Sequence, residues 1–305
     1  MNPTDSLRPP HIYRLVCRPA LPKDTPDVME LTRTIWDGQD YVPQVWAEWL
    51  ADPEGLLAVA EYKGRVVGVG KITRFGEHEW WMEGLRVHPN YEGQGIAAHI
   101  FDYLLGIWQR QYGGLIRLAT ASFRTKIHHL CQRTGFEKLG EFIPFAASAL
   151  PAGVEETTYM EKVLPREVEN AYALARTSQT FPLVFGLFDR GWQWSDLALG
   201  LFIDVVDQGN AWWWKGGQGL ALFMEDAEEQ VRKTMMVQFL GCPVKDLTAL
   251  LQDCRHLASE RKYERVGWVA PPQPDIQNAL QKAGFQQSWD GSVYVFEKRQ
   301  TIVMV

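Results

Sequence analysis

The stretch Leu85-Arg86-Val87-His88-Pro89-Asn90-Tyr91-Glu92-Gly93-Gln94-Gly95-Ile96-Ala97 decides how the chain is read. It predicts the end of a strand, a glycine-rich turn and the start of a helix. Glycines at 93 and 95 leave several backbone N–H groups without Cβ obstruction. The helix from Ile96 adds its orphan donors and the positive end of its dipole. Such a turn suits a phosphate or pyrophosphate, and a plain packing turn is the other reading. It is too short for a Walker loop and does not match G-x-G-x-x-G, which disfavours kinase-like and Rossmann folds.

Working outward, Glu79 to Val87 predicts the strand that enters the turn, with Trp81, Glu83, Leu85 and Val87 on one face. Before it, Leu57 to Tyr62 and Arg65 to Thr73 read as a hairpin turning at Lys63-Gly64. Residues 27–36 and 43–51 read as short helices, and Tyr13 to Cys17 as a strand. After the turn, Ile96, Ile100, Leu104 and Trp108, with Ala97, Phe101 and Leu105, form an apolar stripe for packing on a sheet. The helix stops at Gly113-Gly114. A strand from Leu115, a helix from Arg124 to Thr134 closed by Gly135-Phe136, and strands near 136–146 and 156–163 complete the half.

The second half repeats this order. It has a hairpin over 218–226 and 230–239, a helix from Asp246 to Arg261 and a strand from Val266 to Ala270. A helix over 275–283 then stops at Gly284-Phe285, and a strand runs from Ser292 to Lys298. Ala283-Gly284-Phe285 matches Thr134-Gly135-Phe136, but Leu240-Gly-Cys-Pro-Val-Lys-Asp246 holds no glycine-rich turn. Two domains are expected, 1–163 and 164–305, with the turn kept only in the first.

Leu85-x-Val87-x-Pro89-x-Tyr91-x-Gly93-x-Gly95-Ile96-Ala97, followed by Leu130-x-x-x-x-Gly135-Phe136, resembles the GCN5-related N-acetyltransferase (GNAT) family. The resemblance covers residues 12–163 in element order and residues 83–97 and 130–136 in motif. It implies an α/β fold of two acyl-CoA N-acyltransferase-like domains, each a mixed, bent sheet flanked by helices, the second a degenerate copy. It also implies acetyl-CoA as cosubstrate, its pyrophosphate on the backbone of Glu92, Gly93, Gln94, Gly95, Ile96 and Ala97. The pantetheine would pair with Leu85, Arg86 and Val87 as an extra strand. The implied reaction is acetyl transfer to a primary amine of a small molecule or an exposed amino group, by direct attack in a ternary complex.

Two positions depart from the family pattern. Glu92 stands where the turn usually begins with Arg or Gln. Arg124 and Cys131 stand where the following helix commonly has Asn and Tyr, the Tyr being credited with protonating the leaving thiolate. Cys131 is the substitute acid or a small buried apolar side chain. Arg124 is a ligand for a CoA phosphate or a solvated surface residue. Glu83 is the candidate general base, its apolar neighbours Trp81 and Leu85 expected to raise its pKa, or else a Glu paired with an Arg. Asp37-Gly38-Gln39-Asp40-Tyr41 lies where the family often builds its acceptor wall, or is a simple polar loop. The alternative function is a non-catalytic acyl-CoA sensor or scaffold.

Composition narrows the partners. With 31 Lys and Arg against 37 Asp and Glu, the net charge of −6 carries no electrostatic footprint for nucleic acid and argues against an anionic membrane. No apolar run approaches the ~18 residues of a membrane helix, and Met1-Asn-Pro-Thr-Asp-Ser-Leu lacks the plan of a secretion signal. Cys17, Cys131, Cys242 and Cys254 are too scattered for a disulfide scaffold or a metal site, so a reducing cytoplasm and no metal are expected. The 13 tryptophans, with Trp212-Trp213-Trp214 among them, fill cores or line a pocket. The second half is expected to buttress the first, shape its acceptor pocket or mediate self-association, as in a homodimer.

Overall fold

Apolar periodicity and turn chemistry place the elements of the first half close to where the sequence puts them. The computed structural model describes residues 15–151, 159–225 and 233–302. It shows β1 (Leu15–Pro19), α1 (Thr25–Thr32), α2 (Val42–Ala51), β2 (Leu56–Tyr62), β3 (Arg65–Arg74), β4 (Glu79–Val87), α3 (Ile96–Gln111), β5 (Gly114–Ala121) and α4 (Thr125–Arg133). Tyr13 and the residues before it lie outside the described part, as do 156–158, 226 and 230–232 of other expected strands. The first helix ends at Thr32, four residues short of expectation. Trp36 and Asp37 take left-handed backbone, φ +50° and +56°, which no α-helix can carry.

The chain divides into two units. The first comprises Met1–Leu118, His129–Phe136 and Glu297–Val305, the second Ala119–His128 and Glu137–Phe296. In the first unit β1, β2, β3 and β4 pair antiparallel in sequence order, and β4 pairs β5 in parallel. Ile96, Ile100, Phe101, Leu104, Leu105 and Trp108 are the buried stripe of α3. Ile100 and Leu104 close on β3 over Gly70, on one face of the sheet. On the other face Val28 and Leu31 of α1 and Trp46 and Trp49 of α2 pack on Val59 and Val69. Arg117, 2 % exposed on β5, lies between the carboxylates of Glu79 and Glu297, so its buried charge is compensated from two sides.

The second unit contains β6 (Glu137–Ser148), β7 (Met160–Lys162), α5 (Val168–Thr177), α6 (Thr180–Leu183), β8 (Leu187–Asp189), β9 (Trp194–Asp196) and α7 (Leu199–Asp207). There follow β10 (Ala211–Trp214), β11 (Gly219–Glu225), β12 (Thr234–Gly241), α8 (Leu247–Glu260), β13 (Arg265–Ala270), α9 (Pro274–Lys282), β14 (Gln286–Gln287) and β15 (Val293–Gln300), whose residues from Glu297 onward count with the first unit. Its strands lie in the order β6-β13-β12-β11-β10-β7. Trp212-Trp213-Trp214 is the strand β10, with Trp214 fully buried and its Nε1–H donating to Asp253 at 2.6 Å.

The repeat read from the sequence extends to backbone detail. Gly135 and Gly284 both take φ +78° at the end of a helix, and Phe136 and Phe285 each donate N–H five residues back at 2.9 Å. Both hairpins carry one extra residue in their second strand: Lys71 pairs Glu83 but Val69 pairs Arg86, and Phe223 pairs Val237 but Leu222 pairs Phe239. In both, parallel pairing with the next strand ends before that bulge, at Trp81 with Arg117 and at Val237 with Trp268.

Candidate active site

The glycine-rich turn has the geometry that anion binding requires. A 3₁₀ turn over Pro89–Tyr91 leads to Gly93 at φ +77° and to Gly95 at φ +81°, the N-cap of α3. No side chain caps the helix, so the first-turn N–H groups of Gly95, Ile96, Ala97 and Ala98 lack an intrahelical partner. A Cβ on Gly93 would meet nothing within 4 Å, so the backbone is open to a ligand. Glu92 is exposed, where water and salt screen its charge. Gln94 and Ala97 are half-buried, and Ile96 is buried in the stripe of α3.

Upstream, β4 and β5 part company. They pair only over Glu79–Trp81 with Leu115–Arg117, and β4 runs on to Val87 without β5 beside it. The Leu85–Val87 backbone therefore has no β5 partner on that side. The Arg86 side chain is engaged elsewhere. It is buried and donates to both oxygens of Asp40, from Nε at 2.9 Å and Nη2 at 3.0 Å.

The bulge at Gly84 corrects the face expected for Glu83. Gly84 takes φ +63° and shifts the register by one residue, which turns every later side chain over. Leu85 therefore faces Ile100 and Leu104 across Gly70, and Arg86 joins Glu83 on the side of α1 and α2. Glu83 thus loses Leu85 as a neighbour and accepts a hydrogen bond from the Thr73 hydroxyl. Lys71, directly opposite it, is fully buried and turned to Asp52.

The segment between α1 and α2 reaches this side. Asp40, 3 % exposed, also accepts from the Val42 N–H at 3.2 Å. The Arg86 guanidinium lies over the rings of Trp36, 4.4 Å, and Tyr41, 5.3 Å. Trp36 is 46 % exposed. Sequence reasoning left Asp40 and Tyr41 between wall and loop and did not find Trp36, Trp49 or Thr73. A glycine inside a strand was the available sign of the bulge that gathers them.

Cys131 sits elsewhere in its chemistry. It is fully buried, and burial pushes its thiol up to about 12. A thiol that tight is a poor proton donor to a thiolate whose ordinary range is near 8.5, so the site favours the packing reading. Cys131→Ala should leave kcat within about twofold and cost about 1 kcal/mol of stability, the scale of a small buried deletion. A large loss of kcat at unchanged melting temperature would return Cys131 to the reaction. Arg124 is half-buried and belongs to the second unit.

Residues 25–136 match the sequence model of the Acetyltransferase (GNAT) family. That stretch runs from α1 through the bulge and the turn to Gly135-Phe136. It forms a GNAT acetyltransferase domain. A histidine N-acetyltransferase of Oreochromis niloticus is 27 % identical over 94 residues, 30 % of this chain and 28 % of that protein. The chain thus spans under a third of the length of that relative. Among solved structures, a GCN5-related N-acetyltransferase of Sphaerobacter thermophilus aligns at TM-score 0.62 and 14 % identity, over 95 % of this chain and 96 % of that one. A tandem GNAT protein from the clavulanic acid biosynthesis pathway aligns at TM-score 0.58 and 12 % identity, over 94 % and 98 %. The GNAT fold therefore extends over nearly the whole chain, while the sequence match lies in the first half. Among the described residues no helix is long and apolar enough to cross a membrane.

Proposed function

We propose that this acetyltransferase moves an acetyl group from acetyl-CoA to a primary amine, with the chemistry in the first unit. The observation that carries the reading is the parting of β4 from β5 immediately before the Gly93–Gly95 turn. It supplies a strand edge and an anion cradle in series, the shape of an acyl-CoA. Amides of Leu85–Val87 hold the extended arm, and the first-turn N–H groups of α3 take the pyrophosphate. Glu83 accepts the proton of the incoming amine, directly or through water. The amine nitrogen bonds to the thioester carbonyl carbon, the C–S bond breaks, and the CoA thiolate takes its proton from solvent. A strand amide near Leu85 polarises the carbonyl as an oxyanion-hole donor does. The relatives' substrate suggests amino acids such as histidine as the first acceptors to test.

The second unit is proposed to be a copy that takes no donor. The residue just before its bulge is Val237, buried and apolar, where the first unit has Glu83. Its β12 enters α8 through a 3₁₀ turn over Val244–Asp246, with no counterpart of Glu92–Gly95. The matching strand edge is occupied from within. The Thr180 hydroxyl donates to the Leu240 carbonyl at 2.6 Å and accepts from the Cys242 N–H at 3.2 Å. Calorimetry should therefore give one acetyl-CoA per chain. Two equivalents would overturn the assignment of the second unit, and none would remove the enzyme reading.

A further inference from the structure

The inference concerns Thr73 and rests on the proposed role of Glu83. Between the bulge and the β3–β4 turn the two strands pair without interruption, Lys71 with Glu83, Ile72 with Met82, Thr73 with Trp81 and Arg74 with Trp80. Side chains alternate along a strand, so Lys71, Thr73, Trp81 and Glu83 share one face, and Thr73 is the diagonal neighbour of Glu83. From there the Thr73 hydroxyl donates to Glu83 Oε1 at 2.5 Å.

Register alone would give Glu83 a different partner. Lys71 stands directly opposite it, yet the Lys71 ammonium, fully buried, donates to Asp52 Oδ2. Asp52 is held in place by the N–H groups of Glu54 and Gly55, each 3.0 Å from its Oδ1. Gly55 leaves the room for this pair, since a Cβ there would run into both Lys71 Nζ and Asp52 Oδ2. The lysine is thus drawn off to a carboxylate of its own, and from β3 Glu83 accepts from a neutral hydroxyl. For a base the difference matters. A facing ammonium would favour the charged carboxylate and weaken it as a proton acceptor, whereas a hydroxyl fixes its direction without adding a positive charge.

Thr73 is suited to hold that direction. Its branched Cβ restricts χ1, and both partners stand on paired strands rather than on a loop. Its cross-strand neighbour Trp81 is buried and stacked on Phe75, 6.0 Å between centroids at 9°. We propose that Thr73 is a positioning residue whose hydroxyl sets the direction in which the Glu83 carboxylate meets the incoming amine. Thr73 touches neither the acetyl group nor the amine in this assignment and acts through Glu83 alone.

A double-mutant cycle with a conservative rescue tests it. Steady-state kinetics on the full chain would be measured for wild type, Thr73→Val, Thr73→Ser, Glu83→Gln and the Thr73→Val, Glu83→Gln double variant. The substrates are acetyl-CoA and whichever amine of a broad panel turns over, and melting temperatures are read alongside. Thr73→Val keeps the shape and removes the donor, so kcat is expected to fall about 10-fold with KM for acetyl-CoA within twofold, the scale of a small misplacement. Thr73→Ser keeps the donor and should retain most of the wild-type kcat. In the Glu83→Gln background Thr73→Val should cost nothing further. If Thr73→Val melts low, Thr73→Ala against Thr73→Ser, a pair that differs by the hydroxyl alone, gives the same comparison. Unchanged kcat in Thr73→Val, a loss confined to KM, an equal loss in Thr73→Ser, or the same penalty in both backgrounds would each overturn the proposal and leave Glu83 in place. An unchanged Glu83→Gln enzyme, or no turnover by wild type on any amine, would instead sink the reading beneath it, and the proposal with it.

Discussion

Replacing Gly95 with Trp should abolish micromolar acetyl-CoA binding, weakening it by about 100-fold or more, close to 3 kcal/mol. Two effects add. Gly95 sits at φ +81° as the N-cap of α3, where a side chain costs about 1–2 kcal/mol of backbone strain and tends to unwind the first helical turn. The same turn supplies the four uncapped N–H groups, and an indole beside them bars a pyrophosphate from the backbone. Calorimetry on wild type and variant reads the result, with thermal melting to confirm that both are folded. A variant that binds like wild type would move the pyrophosphate away from this turn. Since Glu92 is exposed and the donors are main-chain groups, wild-type binding should survive the carboxylate at the head of the turn.

Glu83→Gln carries the second large effect. The substitution keeps size and shape, and an amide can still meet the Thr73 hydroxyl, so folding should be preserved. What disappears is the group that takes a proton from the amine. General-base removal costs roughly 10²- to 10⁴-fold, and here kcat should fall by about 10² or more with acetyl-CoA affinity within twofold. Raising the pH should restore part of the rate, because a larger fraction of the amine is then already neutral. A Glu83→Gln enzyme with wild-type kcat would remove Glu83 from the reaction.

Much of this protein was legible in one dimension. The strand from Glu79 to Val87, the helix beginning at Ile96 and both Gly-Phe helix stops follow from local rules: alternation, a 3.6-residue stripe, and glycine where the backbone must turn left-handed. The GNAT resemblance rested on the same local features, and the turn it singled out has the open backbone donors it needed. The helices between Val168 and Asp207 escaped the sequence reading, as did the strand nature of Trp212-Trp213-Trp214. Short elements of three to ten residues carry too few turns for periodicity to register.

The site divides along the same line. Sequence by itself determined the glycine-rich turn proposed to hold the pyrophosphate, because its features lie in main-chain groups and one helix terminus, all within a few residues of one another. It also named Glu83, but not what surrounds it. Only the tertiary structure decided that one extra residue at Gly84 turns Leu85 away and brings Arg86 round to Asp40. Likewise only the fold packs Trp49, 35 positions upstream, against Gly84. It also buries Cys131, which pushes its thiol up to about 12, and places Thr180 on the edge of β12. A strand's pattern of alternation is local, but its register depends on the partner strand and on what packs over the bulge. Such contacts between distant residues leave no trace in spacing.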